Sequence, residues 1–494
     1  MAVLHPEAFS EIARLSSNWK DTPIDKVDHN PVWRRVFSAG ILKIRLKRPQ
    51  YWVLDALDEC KNDSKITRFI KKAQETWPLC VLITSRNDVE SYITGSTLSM
   101  EVISETILEE NKIDIASFLA ANLQKLPGAT SSAQQNISDQ ILQNSHGCFL
   151  WVNLVLRELQ QVHTSAGISQ VLDSNPSDMD ALYSRVLGDM SRAKFDKDLT
   201  KAILTWTTCA LRPLLVEEIH EAIEMDIKDT VDDVGKSIGS CCSNLVYIDK
   251  AGKVQLIHLT AKEFLMREDL ESEYRIDSPS GHRRLVLVCL RVLMRGQSTL
   301  RRASRVRRLG SDAAAGNDSP LYDYASMYLF QHLVQAKTSD AEVFIELAKF
   351  LSSHKVLIWI ERLAKNSDLQ RLYQAGVNCT SMVRRRLEHT PPIGIQKQLG
   401  LVERWGIDFV RLVNKFGKQL SQFPSSIHQV IPPFCPPESA LRQQFGNSYR
   451  GLSVEGCVST KWDDCLLTVS YPRLHKPMNI ASSESYNALA LSNG

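Results

Sequence analysis

Tyr51-Trp52-Val53-Leu54-Asp55-Ala56-Leu57-Asp58-Glu59-Cys60 is the stretch that decides the fold. A short apolar run ends in a carboxylate, and two more acids follow within a few residues. Tyr51–Asp55 reads as a strand. Downstream, Ser64 is placed to cap a helix whose apolar residues Ile66, Phe69, Ile70, Ala73 and Trp77 share one face, and Pro78 stops it. Leu79-Cys80-Val81-Leu82-Ile83-Thr84 carries no charge and several β-branched residues, which predicts a second, buried strand. Strand, amphipathic helix and strand in succession imply a parallel sheet.

Outward from this unit the pattern changes. Residues 1 to about 48 read as helical and loop-rich, with Pro31 opening a helix over Pro31–Phe37. Asn111 can cap a helix carrying Ile113, Ile115, Ala116, Leu119 and Leu123. A second helix holds Ile137, Ile141 and Leu142, and a third runs from Phe149 to Leu159 after a break at Gly147. Between 197 and 268, helical segments 199–210, 215–226 and 231–243 precede two β-like runs, Leu245–Ile248 and Val254–Ile257. These flank a turn containing Gly252, and another helix begins near Thr260. Three helices and a hairpin make a winged-helix pattern. From 282 to about 422 the chain is nearly all helical, with Leu399, Val402, Phe409, Leu412, Val413 and Phe416 on one stripe and no strict repeat. Ile431–Pro437 reads as a stiff, extended break, followed by β-like runs at Leu466–Ser470 and Ala488–Leu491.

Bulk properties exclude several classes. A length of 494 residues provides for two to four domains. The net charge of +3 argues against bulk electrostatic binding to nucleic acid or anionic membrane. Eleven cysteines, an odd number without C-x-x-C pairs, point to free thiols in a reducing compartment. Charges at Glu7, Glu11 and Arg14 rule out a signal peptide at the N-terminus, and the longest apolar run, Leu285–Met294, is broken by Arg291 and too short to span a bilayer. A cytoplasmic protein is the expectation.

The chemistry concentrates at strand ends. Asp55 ends a parallel strand, where open sheets place ligands, and a carboxylate there can hold hydrated Mg²⁺. Glu59 on the next turn could polarise a water; the plain alternative is an acidic loop capping a helix. Thr84-Ser85-Arg86 ends the second strand, where a guanidinium can reach a phosphate; the plain alternative is a surface arginine. The glycine loop that cradles phosphates, G-x-x-x-x-G-K-[ST], occurs nowhere in the 494 residues. Val234-Gly235-Lys236-Ser237 approaches it, but Thr230 stands where the first glycine belongs. There is no G-x-S-x-G elbow and hence no esterase signature. The basic run Arg301, Arg302, Arg305, Arg307 and Arg308 includes a kinase-site-like Arg301-Arg302-Ala303-Ser304, but the small polar residues after it read as a solvated loop. A winged helix can enter the major groove. Here the segment available for it, Asp232–Ser237, is acidic.

In order along the chain, Y-W-V-L-D-A-L-D-E-C, L-I-T-S-R, Ser145–Val152 (S-H-G-C-F-L-W-V), Arg212-Pro213-Leu214 and Leu256–Leu265 (L-I-H-L-T-A-K-E-F-L) resemble the fungal NACHT-type STAND NTPases. The likeness is to members with a nephrocystin-like N-terminal domain and a winged helix of the GPI inositol-deacylase type. It covers residues 30 to about 470. Pro433–Pro436 and Lys461–Cys465 resemble the stretch that precedes a WD-repeat propeller in many relatives. The resemblance implies a switch in which ADP holds the nucleotide domain against the winged helix, and exchange for ATP opens the molecule into an oligomerising state. By the same resemblance Asp55 is the Walker B magnesium residue, Asp58 and Glu59 are the further acids of the NACHT signature, Arg86 is the sensor arginine, and His258 contacts the ADP β-phosphate. The plain alternative for His258 is a core histidine at a strand end. Phe149 departs from the Pro of the G-x-P motif found in plant and animal relatives.

The expected fold class is mostly α with a partial α/β, P-loop-NTPase-like sheet, then a helical domain, winged helix, helical arm and short β-like tail. The expected domains are 1–105, a NACHT domain without its Walker A loop; 106–195, helical; 196–270, winged helix; 271–425, helical arm; and 426–494, a Pro-rich linker with an incomplete propeller-like tail. Walker A is expected upstream of residue 1. The expected function is a fragment of an ADP/ATP-controlled signalling NTPase with Mg²⁺ as its ion, hydrolysing little or no ATP as it stands. Its partners would be proteins or further copies of itself, not nucleic acid or membrane. The alternatives are a non-catalytic interaction scaffold and a winged-helix DNA binder.

Overall fold

The structure is a computed structural model. It describes residues 42, 49–57, 63–85, 111–123, 131–176, 178–193, 195–295, 319–337, 341–389, 394–446, 454 and 460–462, together with the strands at 475–482 and 487–493. The predicted helix at Pro31–Phe37, the basic run Arg301–Arg308, the β-like run Leu466–Ser470 and the site candidates Asp58, Glu59 and Arg86 lie outside the described residues. The chain divides into two compact units, 1–107 and 108–494.

In the first unit, β1 (Gln50–Leu54) and β2 (Leu79–Ile83) pair in parallel, Gln50 opposite Leu79 through Leu54 opposite Ile83. Helix α1 (Asp63–Gln74) crosses between them. It begins no later than Asp63, so Ser64 sits inside the helix instead of capping it. Leu42, Ile70, Ala73, Trp77 and Leu79 form the core, and Trp52 meets Trp77 edge-to-face at 6.4 Å. The strands are not buried on both faces. Tyr51, Val53 and Leu82 are 76%, 68% and 62% exposed, because the single apolar stripe of α1 covers one side of the pleat only.

The second unit is built almost wholly of helices. First come α2 (Asn111–Leu123), α3 (Ser131–Asn144), α4 (Phe149–Leu159), α5 (Ser165–Ser174) and α6 (Met179–Ser191). Gly147, at φ 77°, takes the left-handed turn between α3 and α4 that favours glycine. Its carbonyl accepts from Asn111 Nδ2 at 3.3 Å, tying α2 to that turn. On α2, Ile115, Leu119 and Leu123 are buried, whereas Ile113 points to solvent despite being grouped with them by type.

Next come α7 (Lys197–Cys209), β3 (Leu214–Leu215), α8 (Val216–Ile227), α9 (Val234–Cys241), β4 (Val246–Ile248), β5 (Lys253–Leu256) and α10 (Leu259–Leu265). The strands form an antiparallel sheet in the order β3-β5-β4. The β4–β5 turn is set by Gly252 at φ 75° and by Asp249, whose Oδ1 accepts from the backbone N–H of Ala251 and Lys253. Arg212 reaches Glu218 with both Nη atoms, at 2.7 and 2.6 Å, while Glu218 also accepts from Leu215 N and closes the entry to α8.

The arm comprises α11 (Ser278–Arg295), α12 (Tyr322–Gln335), α13 (Ala341–Ser352), α14 (Lys355–Lys365), α15 (Leu369–His389) and α16 (Gln396–Gln422). The apolar run 285–294 lies within α11 and is largely buried; among the described residues no helix is long and apolar enough to cross a membrane. Polar clasps join α11 and α12 to the winged helix. Asp226 of α8 accepts from Arg284 and from Trp206 Nε1, and Glu221 accepts from Ser319 Oγ and Leu321 N just before α12. Helices α15 and α16 cross at two glycines; a Cβ on Gly376 would lie 2.5 Å from Gly406 O.

The Pro-rich segment is no extended spacer. Pro424–His428 and Pro432–Phe434 are 3₁₀ turns, Ile431, Pro432, Pro433 and Cys435 are buried, and α17 (Ala440–Phe445) follows. Apolar neighbours on both sides of the prolines pull the segment onto the arm. An antiparallel pair, β6 (His475–Ser482) and β7 (Asn487–Asn493), lies near the end. Seventeen α-helices among the described residues against three small sheets make the fold mostly α with a partial parallel sheet.

Candidate functional site

Asp55 follows β1 directly, and the chain turns at Ala56 through φ 52°. The turn is fastened to the end of β2. Thr84 N donates to Leu54 O and Leu57 N to Thr84 O, both at 2.9 Å, while Ala56 N donates to Thr84 Oγ1 at 2.8 Å. The Thr84 hydroxyl in turn donates to Asp55 Oδ1 at 2.5 Å. The hydroxyl thus accepts from the turn after β1 and donates to the carboxylate beside it, which orients the exposed Asp55 side chain. This donor set fits a hydrated divalent cation, since Mg²⁺ keeps most of its water and takes one or two carboxylates. Sequence reasoning singled out Thr84-Ser85-Arg86 for a phosphate; the part it missed is the Thr84 bond to Asp55. Among the described residues no cluster of three or more His, Cys, Asp or Glu side chains could hold a metal.

His258 is exposed and is the N-cap of α10. It is therefore not a core histidine. Its Nδ1 lies 3.2 Å from Thr260 N and 3.0 Å from Thr260 Oγ1. The same hydroxyl lies 2.9 Å from Tyr183 OH on α6. Tyr183 is buried, and burial pushes its phenol up to about 12, partly offset by the Thr260 bond. It packs on Phe264 of α10 with ring centroids 5.3 Å apart. Thr260 and Tyr183 were not found by sequence reasoning. The one available signal was a hydroxyl residue two positions after a histidine at a helix start. Asp55 and Thr84 belong to the first unit, and His258, Thr260 and Tyr183 to the second.

The Val234–Ser237 segment opens α9, and its geometry explains why it is no phosphate loop. Asp233 caps the helix, accepting from Lys236 N at 3.0 Å, and Lys236 Nζ sits 3.3 Å from Asp233 Oδ2. The Lys236 amide holds the Asp233 carboxyl below the usual range. An anion of the chain's own already occupies the place where a phosphate would sit.

The α6–α10 junction carries one sizeable cleft, about 580 Å³, lined by Asp180, Ser184, Gly188, Phe264, Arg267 and Glu271 among others. Arg267 bridges Asp180 and Asp269 there.

Two family models match the chain. The nephrocystin 3 N-terminal domain matches residues 1–86, the stretch that holds Asp55 and Thr84. The winged helix domain of GPI inositol-deacylase matches residues 187–277, the stretch that holds His258 and Thr260. No curated protein matches. The two matched domains, in this order, are consistent with a NACHT-like architecture.

Proposed function

We propose that this chain is part of a STAND-type signalling NTPase, an ADP/ATP-controlled switch of the fungal, WD-repeat-associated kind acting in the cytoplasm. What carries the reading is the pair of family matches in chain order, each containing the residue the reading requires, Asp55 in the first and His258 in the second. A bound nucleotide with Mg²⁺ would supply the charge that these residues read. Asp55, oriented by Thr84, holds the ion's water shell. Asp58 and Glu59 add negative charge beside it, Arg86 reads the terminal phosphate, and His258 donates to the β-phosphate from the winged-helix side. Protein partners or further copies of the chain receive the signal.

The 494 residues contain no glycine-rich phosphate loop. Backbone N–H groups and a lysine supply most phosphate affinity in such sites, so this chain by itself hydrolyses little or no ATP. That observation also favours a second reading, an interaction scaffold whose nucleotide site has decayed. Calorimetric titration with ADP and Mg·ATP separates the two. A protein with a G-x-x-x-x-G-K-[ST] segment fused in frame before residue 1 gains magnesium-dependent binding, which Asp55→Asn and His258→Ala each weaken. Tight Mg·ATP binding by the 494 residues alone sinks the inactivity claim, and no binding by the fused protein leaves the scaffold reading.

A further inference from the structure

The hydrogen bonds at His258 Nδ1 fix where the ring carries its proton. A backbone amide can only donate, so the Thr260 N–H at 3.2 Å makes His258 Nδ1 an acceptor. A neutral imidazole that accepts at Nδ1 carries its proton at Nε2. The Thr260 hydroxyl, 3.0 Å from the same nitrogen, has one proton to place. If it pointed that proton at Tyr183, its lone pairs would face the Nδ1 lone pair. If Tyr183 donates to Thr260 and Thr260 donates to Nδ1, all three groups are satisfied. The buried Tyr183 phenol, 2.9 Å away, keeps its proton and fills the donor's place.

We propose that Thr260 and Tyr183 are positioning residues for His258: they hold its ring as the Nε2–H tautomer, with that N–H turned outward to donate to a phosphate oxygen. The phosphate part rests on the function proposed above; the tautomer part does not. Tyr183 lies on α6, before the matched winged-helix stretch, whereas Thr260 and His258 lie inside it. The Thr260 amide alone fixes Nδ1 as an acceptor, and α6 seated against α10 adds the Thr260 hydroxyl as its second donor. A helix moving away would withdraw the phenol and free the Thr260 hydroxyl to turn from Nδ1.

Long-range ¹H–¹⁵N spectra of the full chain labelled at histidine ring nitrogens read this directly. The expected His258 pattern is an unprotonated Nδ1 and a protonated Nε2. Thr260→Ser keeps that pattern. Thr260→Val removes one of two donors to Nδ1, and Tyr183→Phe removes the partner that steers the hydroxyl, so both move the Nδ1 signal in the same direction. Thr260→Pro removes amide and hydroxyl together at a first-turn position where proline is tolerated, and both ring signals move towards the midpoint. A protonated Nδ1 in the parent chain, or a Thr260→Pro spectrum unchanged from it, overturns the assignment. Adding ADP to the fused protein, at concentrations where calorimetry shows it bound, tests the phosphate part separately. A shifted Nε2 signal supports it; no shift with the tautomer pattern intact removes the phosphate role and leaves the positioning role standing.

Discussion

Replacing His332 by Gln should flatten the acid-side loss of stability of the helical arm. His332 of α12 is fully buried within a chain of hydrogen bonds. Leu211 N donates to Tyr324 OH at 3.0 Å, Tyr324 OH meets His332 Nε2 at 2.8 Å, and His332 Nδ1 lies 2.8 Å from His282 Nδ1. Burial keeps the Tyr324 phenol protonated, so it donates to His332 Nε2, and the His332 Nδ1–H donates to His282. A further proton on His332 would face a phenol that already accepts from Leu211. Burial first, and His282 beside it second, hold His332 down to about 3, against 6.5 for an unfolded chain. As pH falls, the unfolded chain takes up the proton first. The contribution is therefore fully present above pH 6.5 and is lost progressively towards pH 3. Between about pH 7.5 and about pH 5 the linkage relation makes the loss about 2 kcal/mol. Gln offers the same acceptor and donor pair without titrating, so His332→Gln should change stability near neutrality by no more than about 1–2 kcal/mol. Guanidinium unfolding at each pH, followed by tryptophan fluorescence, is the assay; Trp206 sits 6.4 Å from the Tyr324 ring and reports on this core. The parent chain should lose about 2 kcal/mol more than the variant over that interval. Parallel curves for the two proteins would refute the reasoning.

Gly188 lies in the last turn of α6, and no heavy atom lies within 4 Å of where its Cβ would be, so Gly188→Ala should raise stability by about 0.5 kcal/mol in thermal unfolding. Gly376→Ala should do the opposite, costing at least about 2 kcal/mol, since the new methyl meets the Gly406 carbonyl and the α15–α16 crossing must spread. Asp408 is buried and accepts from Leu441 N and Trp462 Nε1, both at 2.9 Å, so Asp408→Ala orphans buried donors and should cost about 3 kcal/mol in chemical unfolding. Burial raises the Asp408 carboxyl to about 6 against 3.8, so its pH effect runs opposite to that of His332: it favours folding below pH 3.8 and loses that contribution as pH rises through 6. Asp408→Asn should remove this rise from the pH–stability curve.

The elements that were legible in the sequence are those whose signal is local. The β1–α1–β2 unit follows from an apolar run, a one-faced helix and a stop at Pro78, and the wing hairpin from Gly252 and Asp249. What escaped depends on cover supplied from elsewhere. The apolar faces of Tyr51, Val53 and Leu82 look as buried in sequence as those of Trp52 and Leu79, because alternation does not say which face receives a helix. Ile431–Pro437 was read as a spacer from its prolines alone. Ile431 and Cys435 bury themselves against the arm and fold the prolines into 3₁₀ turns, a tertiary gain that outweighs the extended preference of the dipeptides. The His282–His332 pair joins residues 50 positions apart on two helices, and no local period could bring them together.

The candidate site divides in the same way. Asp55 was singled out because a carboxylate after an apolar run is a local pattern, and His258 through the resemblance of Leu256–Leu265 to a family's winged-helix segment. Their orientation was not readable, since it is set by Thr84 across the sheet and by Tyr183 from a different helix. Helix-start rules look for Ser, Thr, Asp or Asn at the cap, whose short oxygens reach the free amides. An imidazole does the same work here with Nδ1. Because that nitrogen is committed to the helix, the cap that starts α10 also decides which ring nitrogen of His258 carries the proton facing solvent. Helix formation and donor chemistry are thereby one event at this residue, and a substitution that spoils the cap must also disturb the donor.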